Sequence, residues 1–178
     1  MVALLLADGF EEIEALTPLD VLRRVGVKVD SIGITGKNVV GGHGITVIAD
    51  KTVSEACVED YDAVILPGGL LGTENIDKSP ITDKIISSVM DKGGVVAAIC
   101  AAPTVLGKRG LLNGVRAVCY PGMEKELYGA TVVNEGVVTD GCFVTARGMG
   151  VALPFAKELV RILVSEEAAN KLSCSIAE

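Results

Sequence analysis

The feature that most constrains this chain is the alternation of short aliphatic runs with longer segments of helical spacing. Val2–Ala7, Ala63–Leu66 and Val95–Ile99 contain no polar side chain at all. A strand of that kind is at home only where both of its faces are covered, as in a parallel sheet with helices above and below. The covering helices are legible too. Glu11–Val25 has helical spacing, with Arg23-Arg24 in its last turn and Gly26 just beyond, and it carries Pro18, which predicts a kink. Ser79-Pro80 reads as a capped helix start, Ile81, Ile85, Ile86 and Val89 as its apolar face, and Gly93 as its stop. Val151–Val164 and Glu166–Leu172 read as two further helices. Val27–Ile34 completes the early strands, while Lys37–Ser54 breaks into short β segments around Gly41-Gly42 and Gly44, a hairpin or edge excursion. Short strands are expected at Val115–Val118, Thr131–Val133, Val137–Thr139 and Cys142–Ala146. The fold class is α/β, with a mostly parallel sheet and helices on both faces. No repeat, linker or low-complexity tract divides the 178 residues, so one domain, 1–178, is expected.

Charge and cysteine usage exclude several functions. Net charge is −7 and no basic cluster exceeds Arg23-Arg24, which leaves nothing to neutralise a run of phosphates, so nucleic-acid binding is not expected. The longest uncharged apolar run, Val95–Pro103, falls far short of the roughly 20 residues a bilayer span requires. Met1 leads straight into a strand with no basic segment before it, so no export signal and a cytoplasmic location are expected. Five cysteines (57, 100, 119, 142 and 174) without a C-x-x-C pair point to reduced thiols. With His43 as the sole histidine and no recurring ligand spacing, no metal is expected, and no glycine fingerprint indicates a cofactor.

Chemistry concentrates where the most apolar strand ends. Val95–Ile99 runs directly into Cys100-Ala101-Ala102-Pro103, a strand-to-helix elbow with small neighbours that leave room for a substrate. At the carboxyl end of a parallel strand and near a helix start, the Cys100 thiol is expected as a thiolate nucleophile. A small buried core residue is the alternative. Glu14 aligns at helical spacing with Pro18, Val21 and Val25, which places an acid on an apolar stripe. Desolvation there raises its pKa and suits it to proton transfer; a solvated acid at the helix edge is the alternative. Glu11 and Glu12 fall elsewhere on the wheel and read as ordinary first-turn acids. After the Ala63–Leu66 strand, Gly68 and Gly69 let backbone N–H groups approach a ligand, so with the N–H of Ala101 they can form an oxyanion pocket.

Four blocks together, Ala7–Glu14, Tyr61–Gly69, Ala97–Thr104 and Thr145–Gly150, resemble the ThiJ/PfpI superfamily, in the branch that holds the Parkinson-disease deglycase and the bacterial YajL protein. The resemblance runs in order over nearly the whole chain. It implies a flavodoxin-like three-layer sandwich, usually a homodimer, with Cys100 as nucleophile and oxidation sensor and Glu14 as its protonated partner. It implies an anion pocket at Gly69 and Ala101. Activities of the branch are glyoxalase III chemistry (methylglyoxal to lactate without a cofactor) and deglycation of methylglyoxal adducts. The chain departs from other branches in having Ala101, not His, after the cysteine, which argues against a Cys-His peptidase. Tyr120 stands where human-like members carry a His, and the segment Gly41–Gly44 occupies the place of a neighbouring-subunit Arg, so Tyr120 and His43 are accessory candidates. A thiazole-phosphate biosynthetic role has no support in the residues. The rival to catalysis is a stress-response sensor working through Cys100 oxidation.

Overall fold

The computed structural model describes residues 1–177. Its centre is a seven-stranded sheet of β1 (Val2–Leu6), β2 (Val29–Gly33), β5 (Lys51–Thr52), β6 (Ala63–Leu66), β7 (Val95–Ile99), β10 (Val137–Asp140) and β11 (Phe143–Ala146). The spatial order is β10-β11-β7-β6-β1-β2-β5, parallel throughout except for the antiparallel β10–β11 edge. β3 (Asn38–Val40) and β4 (Thr46–Ile48) form a separate antiparallel hairpin, and β8 (Arg116–Ala117) pairs in parallel with β9 (Thr131–Val132).

Six α-helices stand among the described residues: α1 (Glu12–Arg24), α2 (Leu70–Lys78), α3 (Pro80–Asp91), α4 (Pro103–Lys108), α5 (Ala152–Leu163) and α6 (Glu166–Ser175). The period of two in the strands divides them between two cores. Val2, Leu4 and Leu6 of β1 pack with Leu22 of α1, Phe155 of α5 and Leu172 of α6 on one face. Ala3 and Leu5 pack with Ile76 of α2, Ile85 of α3 and Val105 of α4 on the other. The result is the flavodoxin-like three-layer sandwich that the aliphatic strands require. None of the helices among the described residues is long and apolar enough to cross a membrane.

Three local expectations need correction. Helix α2 was not expected, because its two leading leucines, Leu70 and Leu71, point outward and only Gly72, Thr73 and Ile76 are buried. Ser79 does stand at the N-cap of α3 with Pro80 behind it, yet its side chain makes no capping hydrogen bond. Glu12, read as a solvated first-turn acid, is only 4% exposed. Gly41 lies so close to the Glu12 carboxyl that any side chain there would overlap it, and the hairpin loop closes over the acid.

The chain leaves β1 toward β2 on one side and reaches β6 on the other, so the strand order switches between β1 and β6. Ligands of open α/β sheets bind in the crevice that such a switch opens at the carboxyl ends of the strands. Here the loop Ala7–Glu11 after β1, the turn Pro67–Gly69 after β6, Cys100 after β7 and Arg147-Gly148 after β11 meet at that edge.

Candidate active site

Cys100 sits at the elbow in a left-handed conformation, φ +65°, one of two non-glycine residues with positive φ among the described residues. Such a backbone costs on the order of 1–3 kcal/mol and persists only where its surroundings impose it. Two hydrogen bonds do so. The Cys100 N–H donates to the Ala146 carbonyl at 2.9 Å, and the Cys100 carbonyl accepts from the Tyr120 N–H at 2.8 Å. The elbow is thereby fastened to the ends of β11 and of the loop beyond β8. The N–H groups of Gly69 and Ala101 both donate toward the sulfur.

Glu14 is 1% exposed and lies beneath this turn. Its Oε2 accepts from the Gly68 N–H at 3.0 Å, and its carboxyl lies against the Cys100 side chain, whose ionisation it opposes. Gly68 is what permits the approach: a Cβ there would overlap Glu14 Oε2 and come within 2.6 Å of Cys100 Cβ. Gly69, at φ +87°, has no such freedom either, because its Cβ would strike the Gly9 carbonyl and the Glu11 nitrogen. The Glu11 N–H donates to the Gly68 carbonyl at 2.9 Å, so the start of α1 and the glycine turn are mutually locked.

Burial raises the Glu14 carboxyl from its ordinary 4.5 to about 7, against the lowering effect of its bonds to Cys100 and Gly68. Burial, and then the charge of Glu14, push the Cys100 thiol up to about 12. Two titratable groups side by side away from water cannot both be anions in the neutral range. Burial therefore works against the thiolate expected at the elbow. The helix behind the elbow, α4, has only six residues and is capped at Ala102 rather than at the cysteine, so little of a helix dipole reaches the sulfur.

A cavity of about 270 Å³ opens onto the sulfur, walled by Glu11, Gly69, Leu70, Ala101, Tyr120 and Met123. Tyr120 is 53% exposed and forms the side of this cavity. His43 does not reach it. Its Nδ1 lies 2.8 Å from Glu12 Oε2 and 3.7 Å from Glu11 Oε2, and the bond to Glu12 raises the imidazole pKa. Burial alone would raise Glu12, but its bonds from the His43 ring and neighbouring backbone hold it below the usual carboxylate range. Glu11, Glu12 and His43 bring three donor atoms within 4.8 Å of one another, a grouping that ligand spacing in the sequence did not disclose. Of the remaining cysteines, Cys57 and Cys174 are exposed, Cys142 is half-buried and Cys119 is buried. None of them lines the Cys100 cavity.

Glu11, Leu70 and Met123 were missed as cavity residues. Glu11 faces the cavity because the Gly68 turn pins its backbone, a contact between segments 57 residues apart in the chain.

The model of the DJ-1/PfpI family matches residues 1–162. The chain belongs to the DJ-1/PfpI family. Protein dj-1beta of Drosophila melanogaster is 36% identical over 172 residues, which is 95% of this chain and 92% of that protein. A deglycase of Pyrococcus abyssi is 32% identical over 164 residues, covering 91% of this chain and 98% of its own. Among solved structures, oxidized Toxoplasma gondii DJ-1 superposes with a TM-score of 0.93 at 33% identity, covering 99% of this chain and 97% of that one. A cysteine-to-alanine mutant of a DJ-1 superfamily protein from Salmonella typhimurium does so at 0.91 and 35% identity, with 99% and 97% covered. The DJ-1/PfpI sandwich accounts for every layer of the present fold.

Proposed function

We propose that the protein is a cofactor-independent cysteine enzyme that acts on 2-oxoaldehydes such as methylglyoxal and on their adducts with thiols and amines, as a glyoxalase III or deglycase. The observation that carries this reading is the apposition of Cys100 and the buried Glu14 carboxyl over Gly68, beside backbone N–H groups and at a small cavity that opens onto the sulfur. The name of the Pyrococcus relative supports it.

Glu14, charged near neutrality, takes the thiol proton as the Cys100 sulfur bonds to the aldehyde carbon. The carbonyl electrons pass to oxygen, which the Gly69 and Ala101 N–H groups receive. The resulting hemithioacetal still carries a hydrogen on the former aldehyde carbon. Glu14 returns its proton to the oxygen on that carbon and then takes the hydrogen as a proton; the electron pair left behind forms a carbon–carbon double bond while the neighbouring carbonyl pair moves onto its own oxygen. The hydroxyl proton of the first carbon passes to that second oxygen, the first oxygen closes the thioester carbonyl, and the double-bond pair takes the Glu14 proton at the second carbon. Water then cleaves the thioester, which releases the 2-hydroxy acid and restores the thiol. The sum is one aldehyde and one water to one hydroxy acid, with no external oxidant or reductant. The test is incubation with methylglyoxal and assay of lactate. We expect lactate to form and its formation to stop when Cys100 is fully alkylated by iodoacetamide. Turnover that survives alkylation would eliminate the covalent step.

A second reading, redox sensing in a stress response, draws on the same two backbone donors, which suit the oxygens of a sulfinate. Mild peroxide followed by mass spectrometry separates the two: selective addition of two oxygens at Cys100 without aldehyde turnover favours sensing.

We further propose that the chain works as a homodimer. A broad surface hollow at α1 is lined by the exposed Ile13 and Ile45 together with Leu16, Leu153 and Ile176, an apolar face on a chain of net charge −7. Light scattering should give twice the chain mass, and Ile13→Glu should halve it. A monomeric parent protein would refute this.

A further inference from the structure

Six arginines occur in the sequence, and five of them are within 4 Å of a carboxylate: Arg23 with Asp50, Arg24 with Asp20, Arg109 with Asp77 and Asp83, Arg116 with Glu135, and Arg161 with Glu158. Arg147 is the exception among the described residues. In a chain this acidic a free guanidinium is the less common outcome, and its position gives it meaning. Arg147 follows Ala146, whose carbonyl holds the Cys100 N–H, and precedes Gly148, whose bare Cα leaves the Tyr120 ring room to lie alongside. Its exposed side chain stands on the wall common to two hollows of about 310 and 230 Å³. The larger of these is also lined by Tyr120 and Met149, and Tyr120 is the same ring that walls the Cys100 cavity. Glu124 lines the smaller hollow with Arg147 and feels its charge without forming an ion pair within 4 Å; the Gly122 N–H donates to both of its oxygens, at 3.0 and 2.9 Å.

The Tyr120 ring is thus the wall between the hollow that holds the sulfur and the hollow that holds a cation without an ion pair within 4 Å. We propose that Arg147 is a specificity-determining residue that recognises a carboxylate on the carrier portion of the substrate, so that the preferred substrates are 2-oxoaldehyde adducts of amino acids or peptide ends rather than the free aldehyde. The inference rests on the reading of Cys100 as the nucleophile toward such adducts. A planar guanidinium matches a carboxylate bidentately, and the apolar rim of Tyr120 and Met149 suits the aliphatic part between the two ends.

The test compares two hemithioacetals of methylglyoxal, one with N-acetylcysteine and one with its uncharged amide. The parent protein should favour the acid about fivefold to tenfold in kcat/KM, chiefly through KM, and the preference should shrink in high salt. Arg147→Met should abolish the preference and Arg147→Lys should recover part of it. An acid-to-amide ratio that is the same in the parent and in Arg147→Met would overturn the proposal. A second readout needs no catalysis. Thiol exchange at Cys100 is followed by mass spectrometry with the dianionic disulfide dithiobis-nitrobenzoate and with neutral dithiodipyridine, and the ratio of their rates should fall several-fold in Arg147→Met. If neither hemithioacetal is turned over, the enzymatic reading fails by itself. The exchange ratio then decides the role of Arg147: a fall supports it, and no change refutes it.

Discussion

Glu14→Gln should lower 2-oxoaldehyde turnover by about 10²–10⁴-fold, the usual worth of a positioned proton carrier, and at the same time make Cys100 easier to ionise. The two effects have one origin. Burial first, and then the charge of this carboxylate, hold the thiol up toward 12, so removing the charge lets the sulfur titrate lower even as the base disappears. Ultraviolet absorbance of the thiolate across pH reads the first quantity and lactate formation the second. A thiol that titrates no lower in the variant would contradict the shared charge, and turnover within a few-fold of the parent would remove Glu14 from the mechanism.

The same substitution should stabilise the fold above neutrality. The unfolded chain loses the Glu14 proton at its ordinary 4.5, the folded protein at about 7. Between those values the native state holds a proton that the unfolded state has released. Its contribution is therefore complete below about pH 4.5 and is lost as pH rises through 7. The span corresponds to as much as about 3 kcal/mol. Gln never ionises, so the variant should melt higher than the parent at pH 8 and alike near pH 4.5, a comparison that thermal unfolding at the two pH values makes directly. Activity held at the expense of stability is common for buried catalytic acids.

Gly68→Ala should damage the site through sterics alone. Gly68 does not have positive φ, so alanine meets no backbone penalty there and the substitution reads sterics alone. Its methyl group would occupy the space where Glu14 Oε2 and Cys100 Cβ converge, with the Ile99 carbonyl 3.0 Å away on the third side. Backbone on one side and a packed core on the other leave little to yield. Overpacking of this sort costs about 1–3 kcal/mol, and a displacement of about 1 Å between reacting groups costs on the order of 10²-fold in rate. Urea unfolding and the lactate assay check the two. A variant of parental stability and rate would show that Cys100 and Glu14 do not need this contact.

Both experiments turn on how far the site could be read before any coordinates. Cys100 was legible because an elbow after an all-aliphatic strand is a local pattern. Glu14 was legible because a carboxyl on an apolar stripe stands out at helical spacing, and Gly68-Gly69 because glycines after a core strand are conspicuous. Glu12 was misjudged by the same rule: it lies off the α1 stripe and is buried by a hairpin loop about thirty residues further on, whose approach no helical wheel contains. Helix α2 escaped for the converse reason, since its leucines face solvent and leave no amphipathic signature.

The layers, the parallel sheet and the edge that carries the candidate site were determined by the sequence alone, because strand burial and helical periodicity are properties of neighbours along the chain. The charge state of the Cys100–Glu14 pair, the tether from Ala146 and Tyr120 to the elbow, and the unpaired Arg147 were decided only by tertiary structure. Electrostatic energies depend on distance and desolvation between segments that the chain places far apart, and those quantities exist only once the strands have been set side by side.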